Sequence, residues 1–187
     1  MNKSFIHPSA SIDPSVTLGD GCSIWQGCIL LGGAQVGARC KLGHNVMVEG
    51  GVTIGAGVTI KDNVVLYSGV TLGDDVFVGP NVVFTNVMLP RAFISRKQEF
   101  LPTVVGNGAS LGANATLVCG NSIGGYAMIA AGTVVTKDVP AFALWAGNPG
   151  KQIGWVSRHG CVLKDDLLCP DTGEAYSLVN GSLRPVE

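Results

Sequence analysis

An apolar residue falls at every sixth position from the start of this chain to its middle, without one slip. The series runs Ile6, Ile12, Leu18, Ile24, Leu30, Val36, Leu42, Val48, Ile54, Ile60, Leu66, Leu72, Val78 and Phe84, then resumes at Val105, Leu111, Leu117, Ile123, Ile129 and Val135. A period of six matches neither an α-helix nor a flat alternating strand. It is the spacing of a parallel β-helix, in which three six-residue units make one triangular coil of eighteen. In VTIGAGVTIKDN, residues 52–63, the anchor Ile54 and the residue four on, Val58, are expected to point inward. Gly55 and its two followers make the corner, where glycine tolerates a positive φ. Thr59 faces out from the middle of the strand. An ordinary sandwich does not explain fourteen anchors in register.

The step from Phe84 to Val105 is not a multiple of six, so FTNVMLPRAFISRKQEFLP interrupts the scaffold, with an inserted loop at 87–102. An uncovered basic loop on a regular scaffold is where function is usually carried. The expected organisation is a β-helix over 1–154 and a C-terminal extension over 155–187. In that tail, 175–186 reads as two short strands joined by Asn180-Gly181, a hairpin turn signal that suits capping the open end of the prism.

A formal net charge of −1 argues against a nucleic-acid partner, which calls for a basic patch. No apolar run approaches the ~20 residues of a membrane helix, and Lys3, Pro8 and Asp13 do not fit a leader. Cys22, Cys28 and Cys40 fall on the second inward position, alongside Ala34, Val46 and Val52, and read as small core residues. Cys161 and Cys169 lack a CxxC spacing, so no metal is expected. A reducing, cytoplasmic setting follows.

Outward positions recur every eighteen residues and so form columns. One is Ile29, Met47, Val65 and Val83, all apolar; its neighbours are Gln35, Thr53, Thr71 and Lys41, Thr59, Phe77. An apolar stripe on one face calls for a partner, and a triangular prism suits three copies about an axis. The corner leading into that face holds Trp25, Gln26, His44, Asn45 and Asp62. The corner leaving it holds Glu49, Tyr67, Ser68, Thr85 and Asn86, after which come Arg91, Arg96 and Lys97. Clefts between subunits would carry His44 on one side and Asn86 on the other, ~11 Å apart along the axis at normal strand spacing.

From Gly108 to Val156, GASLGANATLVCGNSIGGYAMIAAGTVVTKDVPAFALWAGNPGKQIGWV resembles the acetyl-CoA-binding end of the hexapeptide-repeat acyltransferases. With GPNVVFTNVMLPRA and the tail CPDTGEAY, the chain is most similar to their nucleotide-sugar N-acetyltransferases, over nearly its whole length. The nearest branch acetylates the 3-amino group of UDP-2-acetamido-3-amino-2,3-dideoxyglucuronate, a cell-surface (lipopolysaccharide) precursor. The resemblance implies an all-β, left-handed parallel β-helix, a homotrimer with shared sites, and acetyl-CoA as co-substrate with no metal. It implies pantetheine contacts around Gly112, Ala113, Ala130 and Ala131, Lys151 near the phosphates, and Lys137 among the cofactor-binding residues. Its amine-positioning asparagine falls on Asn86. The departure is WQGCI at Trp25, where relatives carry histidines flanking an aromatic; this leaves the sugar substituent open.

Forming an amide from a thioester needs a neutral amine, correct approach and stabilisation of the developing oxyanion. Asn86 offers both an acceptor and a donor, although asparagine also suits a left-handed corner. His44, the one coil histidine besides His7, carries an imidazole, the side chain most often used as a general base, and a solvated corner is its plainer reading. Arg91, Arg96 and Lys97 suit a diphosphate or carboxylate, with Trp25, Gln26, Glu49 and Tyr67 completing the substrate surface. His159-Gly160-Cys161 is similar to a stretch of hexapeptide carbonic anhydrases, but only His44 is placed for an interface metal. The alternatives are acetyl transfer to another small acceptor, a metal-dependent hydratase and a non-catalytic β-helix scaffold.

Overall fold

Each six-residue unit becomes a two- or three-residue strand ending on its anchor, from Phe5–Ile6 to Val134–Val135. The computed structural model describes residues 3–186, and among these no helix occurs. The strands stack in parallel into three sheets that close a triangular prism. The first face stacks Phe5–Ile6, Ser23–Ile24, Lys41–Leu42, Thr59–Ile60, Phe77–Val78, Ser110–Leu111 and Met128–Ile129. The second face runs from Ser11–Ile12 through Ile29–Leu30, Met47–Val48, Val65–Leu66 and Val83–Phe84 to Thr116–Leu117 and Val134–Val135. The third carries Thr17–Leu18, Gln35–Val36, Thr53–Ile54, Val70–Leu72, Thr103–Val105 and Ser122–Ile123.

Anchors and the residues four on fill the prism. Ile54 is 2% and Val58 0% exposed, and Cys22, Cys28 and Cys40 are buried as the spacing predicts. Each fully buried Val, Leu, Ile or Phe side chain contributes about 1.5–3 kcal/mol, set against the entropy of ordering the coil. The core thiols satisfy themselves on the coil above: Cys28 Sγ donates to the Gly43 carbonyl at 2.9 Å and Cys40 Sγ to that of Gly55 at 3.1 Å.

Corner geometry divides the glycine requirement in two. The left-handed conformation falls on the third corner residue, as at Gly57 (φ 73°), Asn45 (56°) and Asn63 (59°), not on the first. Gly55 is needed for a different reason: a Cβ there would lie 2.6 Å from the Gly73 carbonyl carbon of the next coil. Within the expected three-residue corner, the positive φ thus belongs to Gly57. Asparagines at the left-handed position stack into a ladder, with Asn45 Nδ2 donating to Asn63 Oδ1 (3.3 Å) and Asn63 Nδ2 to Asn81 Oδ1 (3.2 Å).

The interruption sits at one corner. On the third face Leu72 pairs with Val105 across a step of 33 residues, where Ile54 pairs with Leu72 across 18, so 15 residues loop out. The register resumes undisturbed because Val83 and Phe84 still pair with Thr116 and Leu117.

The prism ends in an antiparallel hairpin, Ala143–Gly147 with Gly150–Trp155, the first of which still stacks on Met128–Ile129. Beyond it a second apolar cluster of Phe142, Leu163, Cys169, Tyr176 and Leu183 forms a cap, with Tyr126 and Trp155 packed against it. Tyr126 stacks on Phe142 at 5.2 Å and Phe142 meets Tyr176 edge-on at 5.6 Å. The expected hairpin is Tyr176–Val179 with Ser182–Pro185, and both turn residues, Asn180 (51°) and Gly181 (74°), have positive φ.

Candidate functional site

The second face organises the polar groups, because both of its edges carry candidate residues. Its outward column is Ile29, Met47, Val65 and Val83, paired rung to rung. Ile29 is 42% and Val83 49% exposed in the single chain.

Along the edge where the chain enters this face, successive coils place Trp25–Gln26, Gly43–His44, Lys61–Asp62, Gly79–Pro80, Gly112–Ala113 and Ala130–Ala131 one above another. The lower part is bulky and polar, the upper part small. Trp25, Gln26 and His44 line one groove of about 430 Å³ with Lys41, Thr59, Lys61 and Asp62. Trp25 leans on Phe5 with ring centroids 5.3 Å apart. Asp62 Oδ1 accepts the His44 N–H at 2.8 Å, so that carboxylate fixes the corner backbone and leaves the imidazole exposed. Sequence reasoning did not assign Lys41 and Lys61 to this groove; Lys61 falls two coils after Trp25, which was the available signal for it, whereas Lys41 shares the phase of Thr59.

The small residues above let successive coils stack closely. A Cβ on Gly112 would sit 2.5 Å from the Ala131 nitrogen, and the Gly132 N–H bonds the Ala113 carbonyl at 2.8 Å. Ala130 N–H bonds the Trp145 carbonyl at 2.9 Å, and Lys151 pairs opposite Ala146 at the next level. Gly112, Ala113, Ala130, Ala131 and Lys151 therefore share one edge. Lys137 does not join them: it stands on the other edge of the face, with Nζ 5.6 Å from the centroid of the Trp145 ring.

The edge where the chain leaves the face carries Glu49, Tyr67 and Asn86. Glu49 Oε2 accepts the Ser68 N–H at 2.9 Å, a corner role not foreseen for a substrate-contacting residue. Asn86 is absent from the left-handed residues, so it is not the turn former that asparagine chemistry allows. Its carbonyl accepts the Leu101 N–H at 3.0 Å, closing the base of the insertion, and Thr85 Oγ1 accepts the Cys119 N–H at 2.9 Å beside it. Asn86 lines a cavity of about 690 Å³ with Pro90, Arg91, Phe93, Ile94, Arg96, Lys97 and Phe100.

That loop is less basic than its composition suggests. Arg96 pairs with Glu99 at 2.7 Å and Arg91 Nη1 donates to the Pro90 carbonyl at 3.2 Å, while Phe93 is 84% and Leu89 68% exposed. The structure thus brings Asn86 together with Arg91, Arg96 and Lys97, and His44 with Trp25 and Gln26, in two separate cavities. Among the described residues, no group of three or more His, Cys, Asp or Glu side chains is placed to hold a metal ion, and no helix is long and apolar enough to cross a membrane.

Fold and repeat together define the class: the chain is a left-handed parallel β-helix of hexapeptide repeats. The family "bacterial transferase hexapeptide (six repeats)" matches residues 33–68 and 51–86, and "hexapeptide repeat of succinyl-transferase" matches 102–137. A dTDP-3-amino-3,6-dideoxy-alpha-D-galactopyranose 3-N-acetyltransferase of Aneurinibacillus thermoaerophilus is 43% identical over 86 residues, 45% of each chain. The chain therefore spans under half the length of that relative. Among solved structures, a hexapeptide-repeat acetyltransferase of Vibrio cholerae complexed with acetyl coenzyme A shares the fold at a TM-score of 0.57, with 24% identity over 70% of this chain and 72% of that one. The acetyltransferase domain of PglB from Neisseria gonorrhoeae, in complex with acetyl coenzyme A, does so at 0.51, with 19% identity over 80% and 57%.

Proposed function

We propose that this chain transfers an acetyl group from acetyl-CoA to the amino group of a nucleotide-linked amino sugar, at sites shared within a homotrimer. The observation that carries the reading is the arrangement of the two edges of one apolar face. One edge carries a column of small residues that an extended thiol chain could lie along; the other offers Asn86 in a cavity with cationic and aromatic walls. The named activity of the 43%-identical relative, an N-acetyltransferase on a dTDP-linked 3-amino sugar, supports the same chemistry.

In this reading three copies pack their second faces about an axis, so that the entering edge of one meets the leaving edge of the next. Burying Ile29, Met47, Val65 and Val83 supplies the driving force at ~25 cal/mol per Å² of apolar surface removed from water. Asn86 accepts a hydrogen bond from the attacking amine and orients its lone pair toward the thioester carbon. The C–N bond forms as the C–S bond breaks, and the departing thiolate can accept the amine proton. His44 is the candidate base if a protein group takes that proton first. Arg91 and Lys97, with Arg96 once released from Glu99, meet the diphosphate. Gly112, Ala113, Ala130 and Ala131 approach the pantetheine through backbone, and Lys151 meets the cofactor phosphates, with Lys137 at the far end of the face. The product suits a cell-surface polysaccharide precursor made in the cytoplasm.

The test is thiol release from acetyl-CoA against a panel of UDP- and dTDP-linked amino sugars. Release with a 3-amino sugar and none with its 3-hydroxy counterpart is the expected result. Equal release with free amino acids, or none with any nucleotide sugar, would overturn the proposal.

A further inference from the structure

Two thiols in the C-terminal cap stand apart from the four in the coils. Cys22, Cys28, Cys40 and Cys119 are buried, and the first three donate to carbonyls of the prism. Cys161 and Cys169 instead converge on one hydroxyl: the Cys161 N–H donates to Ser157 Oγ at 3.2 Å, and Cys169 Sγ lies 3.2 Å from the same atom. Cys161 is partly exposed, Cys169 is buried, and both belong to the cap's apolar cluster. Cys161 Sγ donates to Asp171 Oδ2 at 3.2 Å, a hydrogen bond that holds the thiol protonated.

The cap also provides for a thiolate. Cys169 opens a tight turn in which the Gly173 N–H bonds its carbonyl at 2.8 Å. The hydroxyls of Ser157 and Thr172, then the N–H groups of Thr172 and Asp171, bring its pKa down to about 6. The hydrogen bond to Asp171 pushes Cys161 up to about 11, with burial and the neighbouring Cys169 thiol adding to it. One sulfur is reachable and the other is the thiolate, so attack on an outside disulfide falls to Cys161 and resolution to Cys169.

We propose that Cys161 and Cys169 are a modification site that closes to a disulfide on meeting a low-molecular-weight disulfide such as oxidised glutathione. Cys161 loses its proton to solvent and attacks the oxidant; the oxidant's S–S bond breaks, and the departing thiolate takes up a proton and leaves as a thiol. The Cys169 thiolate then attacks the Cys161 sulfur, the mixed disulfide breaks and the second thiol leaves. Two protein thiols are oxidised and one small disulfide becomes two thiols. The high pKa of Cys161 makes the first step the slow one. The bond would tie the Ser157–Cys161 turn to the Cys169–Gly173 turn, bracing the cap on the end of the prism.

The experiment equilibrates the purified full chain with oxidised glutathione and reads intact mass, denatured thiol count and disulfide-linked peptides. Wild type should lose two hydrogens, fall from six titratable thiols to four, and yield a Cys161–Cys169 linked peptide. Cys169→Ser should instead keep a glutathione adduct on Cys161. Asp171→Asn should speed closure several-fold without changing the final yield, because the carboxylate that holds Cys161 protonated is gone, and a slower closure would overturn this order of steps. Six free thiols in oxidised wild type, a lasting adduct on Cys161, or a bond to any other cysteine would overturn the proposal. Because the decisive readings come from wild type, a variant that fails to fold does not cloud them.

Discussion

His44 and Asn86 stand on opposite edges of the same sheet, two rungs apart: His44 precedes the Met47–Val48 strand and Asn86 follows Val83–Phe84, with only Val65–Leu66 between. They line different cavities of one chain. In the proposed assembly, the Asn86 edge of one copy faces the His44 edge of the next, one rung below its Gly112–Ala113 level.

If Asn86 orients the amine during attack, Asn86→Ala lowers turnover by two to three decades with little change in substrate binding, a loss of roughly 2–4 kcal/mol in transition-state stabilisation. Steady-state kinetics with both substrates varied checks this. Wild-type turnover would leave Asn86 as the residue that closes the loop base through its backbone.

His44→Ala discriminates between two proton acceptors. A base role predicts a loss comparable to that of Asn86→Ala and a pH–rate profile that flattens on the acid side. A mild loss with an unchanged profile assigns the proton to the departing thiolate.

Replacing Met47 and Val65 together by aspartate should dissociate the assembly, because the carboxylates would be buried without partners. Light scattering is the measurement. An intact oligomer would move the interface to another face.

Arg91→Ala should raise the KM for the nucleotide sugar several-fold and leave that for acetyl-CoA nearly unchanged. Among the described residues Arg91 has no carboxylate partner, whereas Arg96 is held by Glu99. Equal effects on both substrates would show that the loop only shapes the site.

The cap predicts a pH limit of its own. Burial first, then the hydrogen bond that Tyr176 donates to Glu174, pushes the tyrosine up to about 12. A folded pKa above the ordinary tyrosine value of ~10 means that its contribution is complete below pH ~10 and is lost as pH rises through about 12. The tyrosinate absorbance of wild type minus Tyr176→Phe should therefore rise near 12; a rise near 10 would show that the hydroxyl is not held in the cap.

The prism was legible from spacing alone, because each coil is built only from contacts a fixed eighteen residues apart. Ile54 and Leu72 could be paired without knowing anything else about the chain, and the columns on each face followed by counting. The insertion was visible as a break in that count, and the tail hairpin from Asn180-Gly181. What depends on contacts without a period could not be read this way. The pairing of Arg96 with Glu99, the exposure of Phe93 and the ordinary backbone of Asn86 are set by how an aperiodic loop packs on one corner. So too the seating of Lys137 over the Trp145 ring, and the meeting of Cys161, Cys169 and Asp171 around a turn. The repeat sets position along and around the prism by arithmetic; side-chain partnership in the loop and cap comes from close packing, which only the folded chain decides.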